Sequence, residues 1–232
     1  SIDIEIVPKE EVVPDSKKHE IAMISLSFFP SYEGHNTLVL VPKFVKRLSD
    51  DVVIFKNEKE MLEEFIKIAD SFDPDIIVGY NINNFDIPYI LERLRVNKIS
   101  RNIGRCHQKA AMARKIGARF RNSVPGRIVV DVYDLIKESI GKGVLRIKRL
   151  GLGDVSKELL NEDKIDVSHT EIKKFWNGTE EQINKLINYA RKDAQLALQL
   201  LLQKNMLDKF IELSKVSGLL LQDVLDGGEA SR

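Results

Sequence analysis

Residues 2–6, IDIEI, alternate apolar and acidic positions, so three isoleucines share one face of a predicted strand while Asp3 and Glu5 share the other. A polar stretch with two prolines, PKEEVVPDSKK, separates this strand from EIAMISLSFF, TLVLV and DVVIF, all rich in β-branched or aromatic residues and read as further strands. The first three strands are expected to form an antiparallel meander. Asn57 then opens a helix, with Glu60 placed as its capping-box partner and apolar residues at 61, 62, 65, 66 and 69 keeping helical period. That helix ends at DPD and leads into a short buried strand, DIIVGY, an order of strand, helix and strand that predicts a parallel crossover.

Helices dominate the second half. IPYILERLRV accepts Pro88 in its first turn, and RIVVDVYDLI reads as a last strand running into a helix. KRLGLGDVSKELL is a short helix. Ser168 with Glu171, and Thr179 with Gln182, mark the starts of two more, IKKFW and INKLINYARKDAQLALQLLLQ. A final helix begins near Asn205. The expected fold is an α/β domain with a mixed central sheet of about five strands and flanking helices. Its expected extent is residues 1–220, with 221–232 as a linker toward a further domain. The chain has no initiator Met and opens inside a strand, the pattern expected of a segment of a longer protein.

Composition narrows the setting. At 232 residues and 43% hydrophobic content, the chain can build a sizeable core. The single cysteine, Cys106, rules out an internal disulfide framework and fits a reducing compartment. There is no signal peptide and no apolar run near about 18 residues, so a soluble intracellular protein with no membrane partner is expected. The formal charge is only +1, but Arg93 to Val130 holds eleven Lys or Arg and no Asp or Glu. That surplus predicts a phosphate-contacting surface, the alternative being a solvated loop or a contact with an acidic neighbouring domain.

Three stretches carry candidate chemistry. Asp3 and Glu5 are about 7 Å apart along the strand, close enough for their oxygens to converge on a cation. In GYNINNFDIPYI, Asp86 lies just past the carboxyl end of a buried strand, where sites gather in α/β sheets; the Asn-rich loop can reach nucleotide groups through its side-chain amides and Phe85 can stack or wedge against a base. Asp86 is also placed to cap the helix that holds Pro88. In NYARKDAQLAL, Tyr189 and Asp193 are four residues apart on one helix face, so the carboxylate can hold a cation while the phenol orients a water. No cluster of Cys and His supports a zinc site, since Cys106 stands beside His107 only.

Taken in order, D-x-E, N-x-x-x-F-D and Y-x-x-x-D closely resemble the three exonuclease motifs of family B DNA polymerases, the tyrosine branch of the DEDD 3′–5′ exonucleases. The segments GRIVVDVYDLIK and LSKVSGLLLQDVL look like flanking segments of archaeal replicative polymerases. The resemblance implies a ribonuclease H-like fold and a proofreading exonuclease that hydrolyses the 3′-terminal phosphodiester of single-stranded or frayed DNA. It implies two Mg²⁺ ions, with Mn²⁺ able to substitute, an oxygen-loving chemistry that four carboxylates suit. Asp3, Glu5 and Asp193 would then bind the ion that activates water, Asp3 and Asp86 would share the second, and Tyr189 would bond the attacking water. Asn81 and Phe85 would hold the last nucleotides, and Lys164 is a weaker candidate for a phosphate contact. The implied partners are a DNA 3′ end, polymerase domains of the same parent chain and a sliding clamp. No palm motif such as S-L-Y-P-S or D-T-D is present, so polymerisation is not expected of this segment alone. The rival readings are a stand-alone DEDD-type exonuclease acting on RNA or repair intermediates, and a catalytically silent domain that binds single strands.

Overall fold

The alternation of the first strand decides which layer each side chain joins. The computed structural model describes residues 1–7, 13–46, 49–106, 108–163, 167 and 169–227, without the side chains of 169 and 170. Its strands are β1 (Ile2–Ile6), β2 (Ile21–Tyr32), β3 (His35–Val41), β4 (Val52–Ile54), β5 (Ile76–Gly79), β6 (Met112–Ile116), β7 (Arg119–Ser123) and β8 (Ile128–Asp131). Its helices are α1 (Glu58–Phe72), α2 (Asp86–Val96), α3 (Val132–Gly141), α4 (Leu152–Leu160), α5 (His169–Trp176), α6 (Glu180–Gln203), α7 (Asp208–Ser217) and α8 (Leu221–Leu225).

β1, β2 and β3 form the expected antiparallel meander, and β4 adds parallel to β3. β5 and β8 form a separate parallel pair that comes alongside β1. The contact is close: a Cβ at Gly79 would stand 3.0 Å from the Ile2 carbonyl oxygen and 2.6 Å from Ile82, so only glycine fits at the end of β5. The mixed sheet is thus met as four strands plus a parallel pair at the β1 edge. The crossover through α1 does lead from β4 to β5, but β5 pairs with β8 and not with β4.

Ile2, Ile4 and Ile6 sit in one core cluster with Met61, Leu62 and Phe65 of α1 and with Ile87 and Ile90 of α2. The opposite face of the sheet, through Met23, Val39 and Val41, packs on Ile183, Leu186, Ile187 and Ala190 of α6. A third cluster joins β5 and β8 to α3, α4, α7 and the far end of α6. The sheet is therefore a middle layer, with its acids on the α6 side.

The caps follow the sequence with one change. Thr179 and Gln182 complete a capping box. Asn57 accepts the Glu60 N–H at 3.0 Å, but the Glu60 carboxylate takes the Lys56 N–H at 3.2 Å instead of returning to Asn57. Ser168, Lys164 and His107 lie outside the described residues.

Two segments differ from expectation. The basic stretch contains a hairpin, β6–β7, which its polar composition hid. Six of its eleven cations are also spent on carboxylates of the chain itself: Arg93 on Glu58, Arg95 on Glu92, Arg105 and Arg127 on Asp73, Arg119 on Asp134, and Arg121 on Asp226. The second correction concerns the expected linker, whose described part is docked on the domain. Val224 of α8 is buried, and the Gln222 amide pairs with β8 as another strand would, accepting the Val129 N–H at 2.8 Å and donating to its carbonyl at 3.2 Å.

α1 and α2 are locked together by a buried ion pair. Arg93 Nη2 meets Glu58 Oε2 at 2.6 Å and Nε meets Oε1 at 2.8 Å, with both side chains at most 5% exposed. Glu58 also accepts from the Ile21 N–H and from Asn97, so its acceptor capacity is used. Removing one partner leaves an uncompensated buried charge. Glu58→Ala is expected to cost roughly 3–5 kcal/mol in urea unfolding, whereas the Glu58→Leu, Arg93→Met pair should lose much less. Equal losses in the two variants would contradict this account of α2's anchorage.

Candidate active site

β1 presents Asp3 and Glu5 on the face that α6 covers, because the isoleucines that alternate with them are committed to the other core. α6 is pinned to that face through Ile183, Leu186, Ile187 and Ala190, and the next turn carries Asp193 to the strand acids. Asp3, Glu5 and Asp193 each offer a carboxylate oxygen, all within 4.8 Å of one another. Glu5 and Asp193 are buried and Asp3 is half-buried. Ser25, wholly buried, stands directly opposite Asp3 on β2.

Asp86 is brought to the same place by a different route. It is the first residue of α2, and its Oδ1 accepts the Ile4 N–H at 3.1 Å, on the backbone between the two strand acids. It lies outside the three-carboxylate group, but within reach of its charge. Burial raises the Asp86 carboxyl to about 7, and the negative charges of Asp131 and Asp193 add to the rise while the Ile4 N–H opposes it. The expected helix cap is thus a tie between α2 and β1.

Tyr189 is partly buried against the α6 cluster, one turn before Asp193. Burial, and then the charges of Asp193, Glu5 and Asp3, hold its phenol well above the ordinary value, and its hydroxyl bonds Asp193. The proton therefore stays on the phenol through the neutral range. Phe85 precedes α2, is 36% exposed and tilts against Tyr89 with ring centres 5.7 Å apart. Asn81 takes a positive φ of 62° and accepts from Asn84 Nδ2 at 3.1 Å. The structure so gathers Asp3, Glu5, Asp193 and Tyr189, sets Asp86 against them, and leaves Asn81 and Phe85 on the loop that leads to Asp86.

Sequence reasoning passed over Asp131. Its carboxylate, buried at the end of β8, accepts the N–H groups of Asn81 (2.8 Å), Asn83 (3.0 Å) and Tyr133 (3.1 Å). Burial raises it to about 6 in spite of these bonds. The available signal was its place as the last residue of a predicted strand, beside the turn that ends β5. The hairpin is tied to the same loop: Asn122 Nδ2 donates to the Asn83 carbonyl at 3.0 Å, and the Phe120 N–H donates to Asn84 Oδ1 at 3.1 Å. A groove of about 710 Å³ opens beside it, reaching Asn83 and Asp131 at one end.

As a donor set, gathered carboxylates fit a hard divalent cation that prefers oxygen. Among the described residues, this is the one group of three or more Asp, Glu, His or Cys placed to hold an ion. No helix among them is long and apolar enough to cross a membrane.

The family described as DNA polymerase family B, exonuclease domain, matches residues 1–142, a span that includes Asp3, Glu5 and Asp86. The DNA polymerase delta catalytic subunit of Caenorhabditis elegans is 31% identical over 99% of this chain and 22% of its own length. A DNA polymerase of Archaeoglobus fulgidus is 30% identical over 97% of the chain and 28% of its own length. The chain thus spans about a quarter of the length of the curated relatives it matches. Among solved structures, the family B DNA polymerase of the hyperthermophilic archaeon Pyrobaculum calidifontis superposes with a TM-score of 0.74 at 24% identity, over 97% of this chain and 26% of that one. The shared fold is the ribonuclease H-like α/β fold. On the match of more than half its length, the chain belongs to the exonuclease-domain family of the family B DNA polymerases.

Proposed function

We propose that the chain is a metal-dependent 3′–5′ exodeoxyribonuclease that removes nucleotides from single-stranded or frayed 3′ ends, as the proofreading part of a replicative DNA polymerase. The observation that carries this reading is the approach of the Asp3, Glu5 and Asp193 carboxylates to within 4.8 Å of one another, with Glu5 and Asp193 buried and Asp3 half-buried. Asp3, Glu5, Asp86 and Asp193 would hold Mg²⁺, or Mn²⁺ in its place, as a pair of ions. When bound, the ions would lower the pKa of the attacking water and offset charge at the leaving oxygen.

The residues divide the remaining work. Asn81 and Phe85 hold the terminal nucleotides, Phe85 by stacking, which tolerates any base. Tyr189 keeps its proton and so orients the attacking water by hydrogen bonding instead of removing a proton. Water adds to phosphorus, the bond to the 3′ oxygen breaks, and that oxygen takes up a proton. The products are a deoxynucleoside 5′-monophosphate and a strand with a new 3′-hydroxyl. The chain's relatives are polymerases about four times its length, which supports polymerase domains of a parent chain as partners. A sliding clamp and a cytoplasmic, nucleoid-associated setting belong to the same proposal.

Asp86→Ala and Asp193→Ala are each expected to abolish cleavage of a single-stranded oligonucleotide while its Kd stays nearly the same. Cleavage at the wild-type rate in both variants would refute the metal-site assignment. Tyr189→Phe should slow single-turnover cleavage by about tenfold through lost orientation, with Mg²⁺ affinity little changed. An unchanged rate would make the tyrosine structural.

Stability should report the same site through pH. The Asp86 carboxyl is raised to about 7 in the folded chain, from 3.8 as the ordinary value. Between those values the folded state binds the extra proton, so its contribution to stability is full at the acid end and lost as pH climbs toward 7. Without metal, the wild type should therefore lose stability relative to Asp86→Asn between pH 4 and 7. Mg²⁺ should raise the wild-type melting temperature more at pH 8 than at pH 5. Parallel melting curves for the two chains across that range would contradict the assignment.

A further inference from the structure

We propose that Asp131 is a positioning residue for this reaction, clamping the Asn81–Asn84 loop so that Asn81, Phe85 and Asp86 are presented together. The inference rests on the exonuclease reading above.

The placement follows from strand pairing. Gly79 and Asp131 are partners at the ends of parallel strands β5 and β8, so the side chain ending β8 lies beside the turn that leaves β5. Its two oxygens are divided. Oδ1 takes the N–H groups of Tyr133 and Asn81, and Oδ2 takes that of Asn83. The Tyr133 bond caps α3, a job that one oxygen can do. The second oxygen serves only the loop. A buried carboxylate this near to Asp86 is costly, and an amide or hydroxyl would cap α3 without that cost. What only a carboxylate supplies here is two acceptor oxygens facing separate backbone donors.

The loop needs such a hold. Asn81 occupies the left-handed region at φ 62°, which asparagine adopts more readily than other residues with a Cβ but still at a cost that the loop's hydrogen bonds offset. At the far end, Asp86 is tied to the Ile4 N–H. The segment is thus held at both ends by carboxylates, one of them Asp131 and the other the proposed metal ligand. Releasing the first would let Asn81 and Phe85 move relative to Asp86.

The test is Asp131→Asn in the whole chain, with Ile136→Val as a control that loosens the core cluster beneath β5 and β8 and removes no hydrogen bond. Amide hydrogen exchange at Asn81 and Asn83 should quicken by at least about tenfold in Asp131→Asn, and kcat/KM on a single-stranded 3′ end should fall by about 10–100-fold, the usual size for residues that orient ligands. Ile136→Val should lower Tm and leave both readings at the wild-type level. Exchange at the wild-type rate, or faster exchange with kcat/KM unchanged, would overturn the proposal. A wild-type chain that leaves DNA intact would instead contradict the exonuclease reading. The exchange rates, with the Kd for the same oligonucleotide, would then decide the clamp: unchanged values overturn it, and faster exchange with a Kd weakened about tenfold supports it.

Discussion

Like charges withdrawn from water repel, and everything near β1 is arranged around that fact. Two carboxylates 4 Å apart near a protein surface oppose each other by about 4 kcal/mol, and burial adds a desolvation cost to each. Asp3, Glu5 and Asp193 meet at such range, with the buried carboxyls of Asp86 and Asp131 close by. They are held because each comes from an element committed elsewhere: β1 through its isoleucines, α6 through its apolar stripe, and α2 through the Glu58–Arg93 pair. A cluster that is unfavourable when empty is favourable around a divalent cation, which is how the fold and the proposed chemistry require each other.

The distribution of cations fits the same picture. The run from Arg93 to Val130 looks like a polyanion-binding surface in one dimension, yet in space six of its eleven cations pair with the chain's own carboxylates, and two of those six, Arg93 and Arg127, are buried. Arg127 is nearly fully buried, bonding Asp73 and the carbonyls of Ala69, Ile103 and Pro74, so it ties the start of β8 to the end of α1. Arg121 bridges Asp223 and Asp226, holding α8 against the hairpin. These pairs fix the β5–β8 unit, whose upper end carries the Asn81–Asn84 loop.

Local pattern made the strands and helices legible. The alternation of IDIEI named both the core face and the acidic face, and the spacing of Tyr189 and Asp193 put both on one side of α6. What the sequence hid was set by distant partners. Nothing local shows that Asp86 spends a bond on Ile4, eighty-two positions away, or that Gln222 completes the edge of β8. The hairpin was obscured because its strands are exposed and charged, with little apolar alternation to mark them. Asp131 escaped notice because a single acid at a strand end acquires meaning only once the neighbouring turn is in place.

The central claim is that the acids on β1 and α6 form a metal-dependent site acting on DNA from its 3′ end. A single-stranded oligonucleotide labelled at its 5′ end, incubated with the chain in Mg²⁺ and in EDTA, tests it most directly. The account predicts a ladder of progressively shorter labelled strands in Mg²⁺ and an intact strand in EDTA. Digestion that persists in EDTA, or immediate release of the 5′ label as mononucleotide, would contradict it.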